Sequence, residues 1–114
     1  MPHSLEEMIA RWEHVARSAS VYNLTLDDWL NDLDLRDIID RQSSANPGLR
    51  ARLDAADREF RANTAESKRS MWGPTAGAEH HLTRHWWYFR YPSSPGESME
   101  LDLIAAGILP RKTH

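Results

Sequence analysis

A chain of 114 residues has room for one domain, because domains usually contain about 100–150 residues. Its hydrophobic content of 40% and charged content of 27% are ordinary for a globular protein, and they exclude fibrous, collagen-like and wholly disordered chains. Cysteine is absent, which excludes disulfides, thiolate catalysis and Cys-ligated metal centres.

The net charge of −3 is unevenly distributed along the chain. Residues 1–60 contain twelve acidic and seven basic side chains, net −5, whereas residues 61–114 contain five and seven, net +2. Six aspartates fall within residues 27–40, where the one basic side chain is Arg36. An acidic half of this kind repels nucleic acid and attracts a basic partner, so the charge argues against a nucleic-acid-binding function.

Neither a targeting segment nor a membrane segment is predicted. Residues 1–7 show no positively charged region followed by an apolar one, so we expect no signal peptide. The strongly apolar runs, such as residues 103–106, are too short to cross a bilayer. We therefore expect a cytoplasmic protein, and the excess of arginine over lysine, twelve to two, is typical of GC-rich bacterial coding sequences.

Two helices have clear start signals and a regular apolar stripe. A Ser-x-x-Glu capping box at Ser4 predicts a first helix near 5–18, in which apolar residues recur at spacings of three and four. The Asn-Pro dipeptide at Asn46 is a typical helix opening and predicts a helix near 47–62. On the solvent-exposed face of this helix we predict two stabilising i,i+4 ion pairs, Asp54–Arg58 and Asp57–Arg61.

Two further helices follow from capping patterns. Thr25, with acidic residues in the next turn, predicts a helix near 26–42, either one bent helix or two short ones separated at Asp34. A helix near 98–106 is predicted to end at Gly107, in the left-handed conformation that glycine adopts just beyond a helix. The next residue, an isoleucine, would then pack back on that helix.

The remaining segments are a loop and an aromatic strand. Residues 64–80 are poor in large apolar side chains and predict a long loop. The aromatic density of residues 82–91 favours a strand. A strand needs a hydrogen-bonded neighbour, and we expect this one to pair with residues 21–24, with part of residues 70–76, or with the same strand in a second copy of the chain.

These elements predict one domain over residues 1–114 that is mainly α with a minor β element, a small α+β domain. Four helical segments near 5–18, 26–42, 47–62 and 98–106 pack around one extended aromatic strand. The predicted core consists of Trp12, Trp29, Leu33, Leu53, Phe60, Trp87 and Phe89.

The aromatic strand carries the leading functional hypothesis. With a period of two, one face of the strand joins the core and the other presents Arg84, Trp86, Tyr88 and Arg90. Tryptophan, tyrosine and arginine are enriched at interface hot spots, so we predict a non-catalytic protein-interaction module that uses these four residues, with Trp72 nearby. The ligand is a protein partner or a second copy.

Two other interpretations of the same residues remain open. In the first, helices cover both faces of the aromatic strand and its arginines pair with the aspartates of residues 27–40. In the second, the aromatic rings stack on the bases of single-stranded nucleic acid. In the second case affinity would fall steeply with salt.

A cluster of histidines supports an alternative function. His80, His81 and His85 lie within six residues, and His81 and His85 have the i,i+4 spacing with which two imidazoles on a helix hold one metal ion. In an extended segment those two rings are too far apart for one ion, and the histidines are then exposed loop residues. The alternative is a small-ligand or metal-binding protein, with or without enzymatic activity, whose pocket lies near the 64–80 loop.

No motif for catalysis or cofactor binding accompanies these residues. The sequence shows no nucleophile elbow and no Gly-rich phosphate loop, so enzymatic activity is unsupported and no cofactor is expected. Asp27, Asp28 and Asp32 have carboxylates of the kind that Mg²⁺ prefers. Because Asp27 points about a hundred degrees away from Asp28 on a helix, we expect a solvated acidic face instead.

Overall fold

The computed structural model describes residues 4–42, 46–73 and 83–110. Within these ranges the chain forms four α-helices and one small antiparallel sheet, which confirms the prediction of a mainly α domain with a minor β element. The elements in chain order are α1 (Leu5–Ser18), a 3₁₀ turn (Ala19–Val21), α2 (Leu26–Arg41), α3 (Pro47–Ala62), β1 (Thr64–Glu66), a second 3₁₀ turn (Trp86–Phe89), β2 (Arg90–Pro92) and α4 (Glu97–Ala105). No helix in the described ranges is long and apolar enough to cross a bilayer.

The helix starts follow the capping signals of the sequence. The Ser4 hydroxyl accepts a hydrogen bond from the Glu7 amide at 3.1 Å, and Thr25 and Asp28 form a complete capping box at the start of α2. At the start of α3, the Asn46 side chain accepts from the two backbone amides that follow Pro47. Helix α2 runs without a break through Asp34, so the alternative of two short helices is wrong.

The end of α4 also follows its predicted glycine signal. Gly107 has φ +77°, and its amide donates to the Ile104 carbonyl at 3.0 Å. The Ile108 amide donates to the Leu103 carbonyl at 2.9 Å, and the Ile108 side chain packs against the core. These bonds are those of a Schellman motif, in which a left-handed residue lets the chain turn back over the helix end.

The core lies where α1 packs against α3 and α2. All seven residues predicted for the core are buried, which confirms that prediction. The ring of Phe60 is central, with its centroid 4.6 Å from that of Trp12 and 5.6 Å from that of Trp29. Aromatic rings bury large apolar areas, so this cluster accounts for much of the hydrophobic stabilisation of so small a domain.

The prediction of one extended strand over residues 82–91 is wrong for most of that segment. Trp86–Phe89 is a 3₁₀ turn, in which the Tyr88 amide donates to the His85 carbonyl at 3.0 Å, and the chain is extended only over Arg90–Pro92. A strand would direct consecutive side chains to opposite faces. The 3₁₀ turn instead buries three consecutive aromatic side chains, those of Trp87, Tyr88 and Phe89, in one core.

The strand partner also differs from those predicted. Strand β2 pairs with β1, at the start of the predicted 64–80 loop, with Ala65 opposite Tyr91. Residues 21–24 are not paired with it, but the 70–76 stretch does contribute, since the Met71 amide donates to the Tyr88 carbonyl at 2.7 Å. Residues 74–80 of the predicted loop lie outside the described residues.

Candidate partner-binding site

The structure does not bring the five predicted partner-binding residues onto one face. Arg84 is exposed, and Trp86 and Arg90 are half-buried. Tyr88 is only 3% exposed, whereas Trp72 is 44% exposed. The shared outward face was predicted from the two-residue period of a strand, and it is absent because the 3₁₀ turn rotates Tyr88 into the core.

Tyr88 and Trp72 converge on a single carboxylate of α2. The Tyr88 hydroxyl donates to Asp34 Oδ1 at 2.6 Å, and the Trp72 indole N–H donates to the same oxygen at 3.2 Å. Burial, together with the hydrogen bond to Asp34, raises the pKa of Tyr88 above its ordinary value, so the phenol remains a donor. These bonds fasten the second 3₁₀ turn and the segment before Gly73 to α2.

Trp86 and Arg90 lie in a separate groove at the end of α3, where a third residue joins them. The groove has a volume of about 320 Å³ and is lined by Arg61, Glu66, Thr83, Trp86 and Arg90. The guanidinium carbon of Arg61 lies 3.9 Å from the centroid of the Trp86 ring, a close cation–π contact. The Trp86 ring also packs against the core, with its centroid 6.0 Å from that of Phe60.

Arg90 holds the groove together through hydrogen bonds to backbone and side chain. It donates to the Thr64 hydroxyl at 2.7 Å, to the Thr64 carbonyl at 3.0 Å and to the Arg61 carbonyl at 3.2 Å. The carbonyls at a helix C-terminus lack helical hydrogen-bond donors, and Arg90 supplies a donor to the Arg61 carbonyl in the last turn of α3. Burial lowers the pKa of Arg90, and the nearby charge of Arg61 lowers it further.

The sequence pattern did not identify Arg61 as a site residue, because its predicted partner was Asp57. In the structure Asp57 faces the core and binds Arg36, with Arg36 Nε donating to Asp57 Oδ1 at 3.0 Å and Nη2 donating to Oδ2 at 2.9 Å. The predicted Asp57–Arg61 pair is therefore wrong, and Asp54 pairs with Arg50 rather than Arg58. Freed from that pair, the guanidinium of Arg61 stacks on Trp86.

Most of the acidic run on α2 is occupied by contacts inside the protein. Among the described residues, five of its six aspartates have a partner. Asp28 caps α2, Asp32 accepts from Tyr22, Asp34 accepts from Tyr88 and Trp72, Asp37 pairs with Arg41, and Asp40 lies 3.7 Å from Arg36. Asp32 and Asp34 bond to side chains outside α2, whereas the partners of the other three lie within α2 or at its N-cap. Of the three aspartates expected on a solvated face, Asp27 is exposed and Asp28 caps the helix start, but Asp32 is partly buried against Tyr22.

The predicted histidine site is described only in part. His80 and His81 lie outside the described residues, and His85 is half-buried with its ring centroid 5.9 Å from that of Trp87. Within residues 4–42, 46–73 and 83–110, no three His, Asp or Glu side chains are grouped to hold a metal ion. Metal binding by His81 and His85 stays a prediction.

Comparison with known proteins finds no matching family model, no similar curated protein and no similar solved structure.

Proposed function

We propose that this protein is a non-catalytic interaction module, and that it binds an acidic segment of a partner protein in the groove formed by Arg61, Trp86 and Arg90. The observation that supports this proposal most strongly is the stacking of Arg61 on the half-buried ring of Trp86. Compared with the surface expected from the sequence, the groove keeps Trp86 and Arg90, adds Arg61, and omits Arg84, Tyr88 and Trp72.

The chemistry of the groove suits a carboxylate ligand. A guanidinium that lies flat against an aromatic ring keeps its N–H groups at the edge, where they can hold a carboxylate through two parallel hydrogen bonds. Because Trp86 restricts Arg61 in this way, less side-chain entropy is lost on binding. Arg90 adds a second positive charge at the same groove.

Glu66 gives the groove some selectivity. Its carboxylate lines the groove beside the two arginines, so a ligand carboxylate must approach from the Trp86 side to avoid repulsion. The occupant we propose is therefore an extended acidic segment with an apolar residue beside the carboxylate, since the partly exposed side chain of Trp86 offers an apolar contact in the groove. A basic segment would be repelled by both arginines.

The test separates binding from folding by removing one charge. Arg61→Met retains an apolar chain over Trp86 but removes the guanidinium, and Arg58→Met, on the exposed side of the same helix, is the matched control. In a pull-down followed by affinity measurement with the captured partner, Arg61→Met should weaken binding at least about tenfold, as hot-spot arginines do. The control should bind like the wild type.

Two results would contradict the proposal. One is equal binding by the Arg61→Met and Arg58→Met variants, and the other is a partner whose contact segment carries no acidic residue. Trp86→Ala is a less clear test, because Trp86 packs against Phe60 and its removal also lowers the free energy of unfolding. A second copy of the chain as the partner would be recognised by a concentration-dependent mass in analytical ultracentrifugation.

A further inference from the structure

A larger cavity lies on another part of the molecule, between α1, the segment that follows it and α2. Its volume is about 500 Å³, within the usual range for small-molecule sites. Arg11, His14 and Val15 line it from α1, and Asp32 lines it from α2. None of these residues belongs to the groove proposed above for a protein partner.

The cavity contains an acidic group in a partly buried position. The Asp32 carboxylate accepts a hydrogen bond from the Tyr22 hydroxyl at 2.7 Å through Oδ2, and the position of the Tyr22 ring is fixed by an edge contact with Trp29, at 4.7 Å between centroids. Asp32 is partly buried, so its carboxylate keeps only part of its water shell, and this burial raises the pKa of the group. A positively charged hydrogen-bond donor in the cavity would restore those lost interactions.

A basic side chain, Arg11, stands at the same cavity, and it has no hydrogen-bond or ion-pair partner among the described residues. Arg11 and His14 are both close enough to Asp32 to lower its pKa. Opposite charges therefore line one cavity without forming an ion pair between them. Each is available to a ligand group of the opposite sign.

The third feature of the cavity is apolar. Val21 is 62% exposed and Leu24 is 56% exposed, and both line the cavity, together with the buried side chain of Val15. Among the described residues these are two of the five large hydrophobic side chains that remain exposed. Grouped exposed apolar side chains in a concave site are typical of ligand binding.

We infer that this cavity binds a free α-amino acid with an apolar side chain. Its ammonium group would bind Asp32, its carboxylate would bind Arg11, and its side chain would contact Val21 and Leu24. A ligand with one charge fits less well, because Asp32 repels a simple anion and Arg11 repels a simple cation. A ligand with both charges neutralises the site, and its apolar side chain removes the exposed apolar surface from water.

The binding test uses L-leucine as the probe and the full chain as the protein. Isothermal titration calorimetry should detect saturable binding of L-leucine. N-acetyl-L-leucine, which lacks the ammonium group, and L-leucinamide, which lacks the carboxylate, should each bind at least about tenfold more weakly, because each loses one charged hydrogen bond. Absence of saturable L-leucine binding, or equal binding of N-acetyl-L-leucine, would overturn the inference.

Two pairs of variants locate the site. Arg11→Gln and Asp32→Asn should each weaken L-leucine binding at least about tenfold, whereas Arg58→Gln and Asp27→Asn, which make the same charge changes outside the cavity, should leave it unchanged. Asp32→Asn alters the contact with Tyr22. Arg11, however, is exposed and makes no hydrogen bond or ion pair within residues 4–42, 46–73 and 83–110, so Arg11→Gln keeps the test independent of folding. Equal binding by Arg11→Gln and Arg58→Gln would refute the assignment.

Discussion

The buried ion pair between Arg36 and Asp57 is the feature whose removal should be most costly to the fold. The Arg36 side chain is 7% exposed and that of Asp57 is 15% exposed. Asp57 accepts two hydrogen bonds from Arg36 and a third from the Trp12 indole N–H, at 2.9 Å. The Arg36 guanidinium also lies 4.6 Å from the centroid of the Trp87 ring. One carboxylate therefore connects α1, α2 and α3.

Asp57→Ala would leave the Arg36 charge buried and deprive the Trp12 N–H of its acceptor. Removal of one partner of a buried ion pair typically costs about 3–5 kcal/mol, because the remaining charge has neither water nor a counterion. Asp40, at 3.7 Å from Arg36 and 45% exposed, replaces only a small part of that interaction. At about 4 °C per kcal/mol for a domain of this size, we expect the melting temperature to fall by roughly 12–20 °C.

The control is Asp54→Ala, one turn earlier on the same helix. Asp54 pairs with Arg50 at 3.6 Å, and both side chains are more than half exposed, so its removal should cost less than about 1 kcal/mol. Urea denaturation of both variants measures the difference directly. If Asp57→Ala lowers the free energy of unfolding no more than Asp54→Ala does, the Arg36–Asp57 ion pair does not stabilise the fold as argued above.

A double-mutant cycle tests the pair itself. Asp57→Asn removes the charge but keeps an oxygen for Trp12, and Arg36→Met removes the other charge. The double variant should be more stable than the sum of the single losses predicts, by roughly 1.5–3 kcal/mol, because neither charge is then left unpaired. Additive losses would show that the two charges do not interact.

Two further predictions concern a pH-dependent pair and a helix end. The hydrogen bond from Arg52 to Glu13, at 2.7 Å, lowers the pKa of Glu13 below its ordinary value of 4.5. The ionised Glu13 carboxylate therefore stabilises the folded state above pH 4.5, and this stabilisation is lost as the pH falls through the lower pKa of the folded state. Urea denaturation should therefore show that the stability difference between wild type and Glu13→Gln is constant above pH 4.5 and shrinks below it; a difference that is constant throughout would contradict this. Gly107→Ala should lower the free energy of unfolding by roughly 1–2 kcal/mol, because φ is +77° there and an added Cβ would lie 3.3 Å from Arg69. An unchanged melting temperature would show that the chain end adopts another conformation.

Part of the candidate site could be predicted from the sequence, and part could not. The grouping of aromatic and arginine side chains in residues 84–90 indicates Trp86 and Arg90, and both line the groove. The same grouping indicates Tyr88, but Tyr88 is buried, because the two-residue period of a strand does not hold in a segment that forms a 3₁₀ turn. Arg61 carried only two signals, an i,i+4 spacing from Asp57 and a position in the last turn of a helix, and neither has functional meaning by itself.

The sequence by itself determined the helices, since capping residues and periodic apolar stripes act through contacts within a few residues of one another. Ser4, Thr25, Asn46 and Gly107 each mark a helix boundary through such local bonds. Only the tertiary structure decided which side chains from distant segments of the chain bind each other. Asp57 binds Arg36 instead of its helical neighbour because burial removes most of the water that would solvate either charge. Trp86–Phe89 coils because coiling buries three aromatic rings where a strand would leave Tyr88 on the surface.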